Sequence, residues 1–367
     1  MMILDPRPVP LGGLRAMEVR RLIPAQRRRM IGAWCFIDHY GPDKVPDTGG
    51  MRVVSHPHIG LQTVSWLFTG AIEHRDSLGT VGPVLPGEVN LMTAGHGINH
   101  SEFSTSETNI LHGIQLWVAL PAEERATTPK FENYRPQVLD CRGVKLSVFL
   151  GSARIDRRRE DGSVSSYSDR SPVHTFSPLL GAEIRVDDAQ AQNAVMDLHV
   201  EEDWEYGFVV DSGSVTVTTA SGEKMTAGRN QLLYFDSCDH ENAPVRVECT
   251  PGTRTVLLGG EPFGEEIIMW WNFVGRTYEE IVQARQDWQD LIAADNSAAL
   301  VADGVVAGSP EAPRFGPVVQ MPAGYPLNGD REVIPAPALP GVALKPRGDK
   351  RPVPPSADEP LDTGQVF

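Results

Sequence analysis

The stretch "SHPHIGLQTVSW", residues 55–66, sets His56 and His58 one residue apart and runs on into strand-forming residues. In an extended strand, residues i and i+2 point to the same face, so both imidazoles project together. Such a pair is either a metal-binding edge or two polar residues on a wet face, and the pair alone does not decide. A second alternating pair follows in "MTAGHGINHSE", residues 92–102, where His100 and Glu102 flank Ser101. If the two strands lie on facing walls, the pairs converge into a cage of three histidines and one carboxylate. That donor set suits a divalent first-row metal. Arranged tetrahedrally, four ligands close a structural zinc site; on an octahedral centre they leave two positions for substrate, water or dioxygen. Spacing leaves both open.

The surroundings favour a barrel. Between the two pairs, residues 70–98 carry glycines at 70, 79, 82, 87, 95 and 97 with Pro83 and Pro86. These are turn residues joining short strands. Short apolar segments such as "TVSWLF", "GIQLWVAL", "VKLSVFL", "EYGFVV", "NQLLYF" and "TRTVLLGG" recur through the first 270 residues, separated by Gly, Pro, Asp and Ser clusters. The pattern predicts an all-β protein with two barrels, the strand sets running from about 30 to 130 and from about 140 to 265. The expected domains are a metal-binding barrel over 1–130, a second barrel over 131–294 with a helix at 277–292, and a Pro/Ala-rich extended tail over 295–367. The helix is marked by a capping box, Thr277 with Glu280, ahead of apolar residues at helical period. In the tail, 13 of the chain's 30 prolines fall between Pro310 and Pro360, which argues against regular structure there.

Charge and composition narrow the partners. The formal net charge of −15 argues against a nucleic-acid backbone or an acidic membrane surface as main partner. The locally basic "RAMEVRRLIPAQRRRM" reads as strand edges, because Leu, Ile, Met and Val interleave its arginines. No apolar run reaches the roughly 18 residues of a membrane span, and the expected compartment is the cytoplasm. Cys35, Cys141, Cys238 and Cys249 form no CxxC pair and are expected to be reduced.

At this point the residues carry a resemblance. "HPHIGLQTVSWLFTGAIEHRDSLG" followed by "PGEVNLMTAGHGINHSE" resembles the paired signature of the pirin family, a branch of the cupin superfamily with two barrels. "FIDHYGP", "LHGIQLWVALP" and "GGEPFGEEI" are similar to pirin segments as well. The resemblance implies two facing barrels with metal in the N-terminal one only, held by His56, His58, His100 and Glu102. It implies Fe(II) as the usual metal, with Mn, Ni, Cu or Zn as alternatives. It further implies either a quercetin 2,3-dioxygenase activity, taking a small aromatic or enediol substrate and dioxygen with Glu102 as proton acceptor, or a non-enzymatic iron- or redox-responsive role with a protein partner. Three positions depart from the family pattern. Gln62 stands where many pirins have Glu, His96 where they often have Arg or Lys, and Leu91 where they often have Trp. The last two are expected to flank the cavity.

Other polar residues have weaker signals. His74 and Asp76 form either an outer layer around the metal or a solvated turn. His112 and Gln115 read as core hydrogen-bonding residues, with Gln115 able to face the cavity. In the second half, His199 and Glu201 imitate the HxE spacing and His240–Glu241 follow, but no HxH pair accompanies them, so that barrel reads as structural. Trp270 and Trp271 are expected to pack between barrels or under the helix.

Overall fold

A computed structural model describes residues 1–11, 17–158, 162–188, 192–236, 244–294, 313–319, 322 and 333–349. Cys238, His240 and Glu241 lie outside these residues.

The chain folds as two β-barrels, each built from two antiparallel sheets. In the first, a seven-stranded sheet centred on Leu61–Thr69, Ile110–Ala119 and Trp34–Lys44 faces a four-stranded sheet. The four strands run in the order Arg52–His58, Ile98–Ser104, Ile72–Asp76 and Val81–Val84. In the second, a seven-stranded sheet around Glu205–Ser212, Arg254–Gly260 and Leu179–Val186 faces a six-stranded one around Ala194–Leu198 and Val245–Cys249. Antiparallel sheets with one face inward alternate apolar and polar residues, and Ser214–Thr218 shows the pattern, burying Val215 and Val217 only.

Two segments cross between barrels. The strand Met2–Leu4 pairs with Leu232–Asp236 in the second barrel, and Lys130–Tyr134 pairs with Val89–Thr93 in the first. The two large sheets pack through a shared core that includes Trp34, Trp66, Phe149, Tyr234 and Leu258. Burying each such side chain contributes roughly 1.5–3 kcal/mol. Trp34 adds direction, its Nε1 lying 3.2 Å from the carbonyl of Leu180 and 3.1 Å from that of Gly259. Arginines of the basic N-terminal stretch are used at this level. Arg21 grips Asp38 with two bonds of 2.8 and 2.7 Å, and Arg28 is buried against Glu205 of the other barrel.

The helix Tyr278–Ala294 forms behind the expected capping box. Glu280 N donates to Thr277 Oγ1 at 3.2 Å, and Thr277 N donates to the Glu280 carboxylate at 3.3 Å. Its buried stripe, Ile281, Ala284, Trp288 and Leu291, packs with Ile59, Phe273 and Phe315, with Trp270 and Trp271 at the margin. The described tail residues 313–319 and 333–349 pair only through isolated bridges, Val333 with Ser55 and Arg347 with Ile267. No helix among the described residues is long and apolar enough to cross a membrane.

One expectation is corrected. The two histidine pairs do not sit on facing walls: Arg52–His58 and Ile98–Ser104 are neighbours in one sheet, with His100 directly opposite His56 and Ile98 opposite His58.

Candidate metal centre

The cross-strand register explains how the donors meet. Directly opposed residues share a face at about 4.5–5.5 Å, which stacks His56, His100 and Asp76 in one row and Glu102 with His74 in the next. A register shift between His100 and Glu102 breaks the pairing with Arg52–His58, so Glu102 falls opposite Val53. Such a bulge re-aims a side chain. At the end of the first strand, Gly60 (φ +68°) makes the turn, where a Cβ would come 2.1 Å from the Val274 carbonyl oxygen.

His56, His58 and His100 bring one nitrogen each within 4.8 Å of one another, with ring centroids 4.3 to 5.0 Å apart. Glu102 joins a second group, with His74 and His100, so His100 is shared between the two groups. All of these side chains are buried; His56 and Glu102 are each 6% exposed. His58 meets the edge of Trp117, which stacks on Phe36, and Phe131 stacks on His74. The walls are therefore largely aromatic.

The hydrogen bonds assign the tautomers. The Nδ1 atom of His56 lies 2.9 Å from the Val54 carbonyl, and that of His58 lies 3.0 Å from the Asn272 carbonyl. A carbonyl only accepts, so in both rings Nδ1 carries the proton and Nε2 the lone pair. Asp76 Oδ1 accepts from the backbone N–H groups of Leu78 and Thr80 at 2.9 and 3.1 Å. Its Oδ2 lies 3.2 Å from His74 Nε2, which makes that nitrogen the donor. His74 Nδ1 then accepts from His100 Nδ1 at 3.4 Å, leaving the His100 Nε2 lone pair facing that of His58 at 3.1 Å. Lone pairs pointing at one another in a buried space repel unless a cation lies among them. Burial also keeps these rings neutral, as ligation requires. It pushes His56 down to about 4, and it holds His58 and His100, each also facing His56, well below the usual histidine range.

Glu102 is raised by burial above the usual carboxylate range. Ser65 Oγ stands 2.8 Å from Gln115 Oε1 and 3.4 Å from Glu102 Oε1. It has one proton, and the shorter contact takes it. The Tyr40 hydroxyl, in the field of Glu102, is buried without a hydrogen-bond partner among the described residues. An orphaned hydroxyl beside an under-satisfied carboxylate fits a site built around a further group, and the donors present fit a divalent ion.

Several expectations resolve. His74 and Asp76 form a buried link to His100, not a solvated turn. Gln115 touches the site through Ser65. Gln62 is turned to Thr93, with Nε2 2.9 Å from its hydroxyl. Leu91 does not flank the cavity: it is fully buried in the core shared by the barrels. His96 is half-buried beside Arg314, with burial and that charge both lowering its proton affinity. In the second barrel, His199 pairs with Asp156 at 2.8 Å while Glu201 is exposed.

Sequence reasoning missed a second cluster, His39, His112 and Asp211, because its members are 172 positions apart at the extremes and carry no motif. It joins the barrels: Asp211 Oδ1 lies 3.0 Å from His39 Nε2 and 2.6 Å from His112 Nε2. Beside it a cleft of about 570 Å³ is lined by His112, Lys145, Arg185, Arg229 and Arg254, among others.

Two facing barrels with a histidine cluster inside the first define a bicupin with a candidate metal site. Residues 16–118 match the pirin family and residues 186–292 match the pirin C-terminal cupin domain. A Pseudomonas aeruginosa protein provisionally named a quercetin 2,3-dioxygenase is 40% identical over 287 residues, covering 77% of this chain and 82% of its own. A pirin-like protein of Caulobacter vibrioides is 32% identical over 299 residues, covering 78% and 92%. The crystal structure of a quercetin 2,3-dioxygenase from Acinetobacter baumannii aligns with a TM-score of 0.72 at 32% identity, covering 94% of this chain and 97% of that one. The chain belongs to the pirin family.

Proposed function

We propose that the protein is a metal-dependent dioxygenase acting on a flavonol such as quercetin or a related enediol. Nε2 of His56, His58 and His100 would hold a divalent ion, Fe(II) first among the alternatives, with Glu102 as the fourth donor. The observation that carries the reading is the convergence of three buried lone pairs whose opposite ring nitrogens are pinned. A bound ion would supply Lewis-acid and redox chemistry toward substrate and dioxygen.

The chain's own residues do the rest. Glu102, lacking a full hydrogen bond and raised toward neutrality by burial, accepts the proton of the substrate's acidic hydroxyl at a carboxylate oxygen. His74 and Asp76 fix the ring of His100. Trp117, Phe36 and Phe131 supply apolar walls that select a planar aromatic substrate and keep water out. Two of the relatives above carry names that specify quercetin cleavage.

The test is anaerobic Fe(II) loading followed by quercetin and air. Carbon monoxide release together with dioxygen uptake is the expected result; a fully loaded protein that releases none ends the proposal. A second reading is a metalloprotein that signals its metal's redox state to a protein partner. The near-complete burial of the donors favours it, since it leaves little access for a flavonol. It predicts partner capture that differs between ferrous and ferric forms.

A further inference from the structure

The strand that bears His56 and His58 is the edge of its sheet, paired on one side only. An edge strand is a weak foundation for a metal centre, because its free side has no ladder to hold it. Here the free side is met by the far end of the chain. Val333 bridges Ser55 in parallel, and Ile334 N donates to the Ser55 carbonyl at 2.8 Å.

Ser55 and Asn99 alternate with His56 and His100, so they point away from the donors. On that back face, Ser55 Oγ donates to Asn99 Oδ1 at 2.6 Å, linking the two ligand strands. Asn99 Nδ2 donates to the carbonyls of Phe315 and Pro317, both at 2.7 Å, and Asn99 Oδ1 accepts from Val319 N at 3.0 Å. Asn99 is fully buried and all of its amide capacity is used. The tail is itself anchored on the helix. Trp288 Nε1 donates to the Ile334 carbonyl at 2.9 Å, and Ala336 N donates to Gln289 Oε1 at 2.8 Å. Phe315, 1% exposed, packs its ring against Phe273 and the edge of Trp288.

We infer that tail residues 313–319 and 333–336 brace the metal centre from behind, so that docking of the tail and binding of the metal are thermodynamically coupled through Asn99 and Ser55. The inference rests on the metal reading above. The donors sit on two strands whose separation sets the distance from His56 to His100, and the tail bonds to both strands one residue away from those rings. Asn99 and Ile334 are positioning residues: neither reaches the donors.

Coupling is reciprocal, so whatever factor the docked tail adds to metal affinity, the metal adds to tail docking. Two measurements on the full chain read it from both ends. Fe(II) affinity is measured anaerobically against a chromophoric chelator for wild type, Asn99→Ala and Ile334→Pro, the last deleting the N–H given to Ser55 together with the Ile334 side chain and its backbone freedom. Both variants are expected to bind at least tenfold more weakly. Hydrogen exchange of the wild type, with and without Fe(II), follows the amides of Val319 and Ile334, which are expected to slow at least tenfold on loading. The second readout needs no substitution and is unaffected by a variant that folds poorly. Wild-type loading that leaves those amides unchanged, or variants that bind Fe(II) as wild type does, overturns the coupling and leaves the metal centre standing. A wild type that takes up no metal overturns both.

Discussion

The first barrel contributes to two clusters made from the same residue types, and they do opposite things with them. At His56, His58 and His100, backbone carbonyls and the His74–Asp76 link hold the Nδ1 protons, so the Nε2 lone pairs are turned inward. At His39, the Arg20 guanidinium points Nε and Nη2 at Nδ1, both at 3.4 Å. Arg20 can only donate, so Nδ1 there is the acceptor and Nε2 carries the proton, which goes to Asp211. A nitrogen that is giving its proton to a carboxylate has no lone pair for a metal. Arg254, 3.5 Å from the other Asp211 oxygen, adds a second fixed charge that repels a cation. What separates a candidate metal centre from a polar latch between barrels is therefore the group behind each ring, not the ring itself.

Removing a ring is the bluntest way to break the comparison, and it has the largest expected effect. His58→Ala should abolish stoichiometric metal, with affinity reduced by more than about a hundredfold, whereas His39→Ala should leave the metal content of the purified protein at the wild-type value. Metal analysis of both preparations decides; loss of metal in the His39 variant would make the latch part of the centre.

The converse experiment is Asp211→Ala. It leaves His39, His112 and Arg254 without their shared carboxylate, and breaking a buried polar network of this kind costs about 3 kcal/mol. Denaturant unfolding should shift accordingly while bound metal is retained. An unchanged midpoint would mean the barrels hold together without the latch, through the Trp34–Trp66–Tyr234 core alone. Third in size is Asp76→Asn. It spares every donor atom and loosens only the ring of His100 through His74, so metal affinity should fall about tenfold, read by chelator competition. An effect as large as that of His58→Ala would instead make His74 or Asp76 a direct ligand.

How much of this was legible in the sequence follows from the range of the interactions. The HxH and HxE pairs, the turn glycines between them and the Thr277–Glu280 box are local, so strand period and capping chemistry fix them without knowledge of the fold. The barrels follow from the same alternation. The register does not: an extra residue between Val53 and His56 decides that Glu102 falls opposite Val53 on that strand, and nothing in "VVSH" announces it. Long-range partners were invisible for the same reason. Asp211 meets His39 and His112 only because two sheets pack, and Asn99 meets Phe315 only because the tail folds back more than two hundred residues. Leu91 was misplaced because a strand residue can face either side of its sheet, and here the apolar side is the core between the barrels.

The two clusters also differ in their response to acid, and this gives the smallest effect. The folded metal-free chain keeps His56, His58 and His100 neutral below the pH at which an unfolded histidine takes up its proton. Between about pH 6.5 and about 4, the unfolded state therefore binds more protons, and stability falls as pH falls. From pH 6.5 to 5.5 each such ring should withdraw about 1 kcal/mol. His39 shares that sign, burial lowering it more than Asp211 raises it. Asp211 behaves differently. Burial pushes its carboxyl up, but the bonds from His112 and His39 outweigh this and hold it below the usual range, so its contribution persists throughout this window and is lost only in stronger acid. Thermal unfolding of the metal-free chain at pH 7.5, 6.5 and 5.5 should thus show a loss beginning below 6.5. The double variant His56→Ala/His58→Ala should flatten that loss, and Asp211→Ala should leave most of it. A wild-type profile that is flat across the window would mean those imidazoles are not held neutral by burial, and the inward-facing lone pairs would lose their basis.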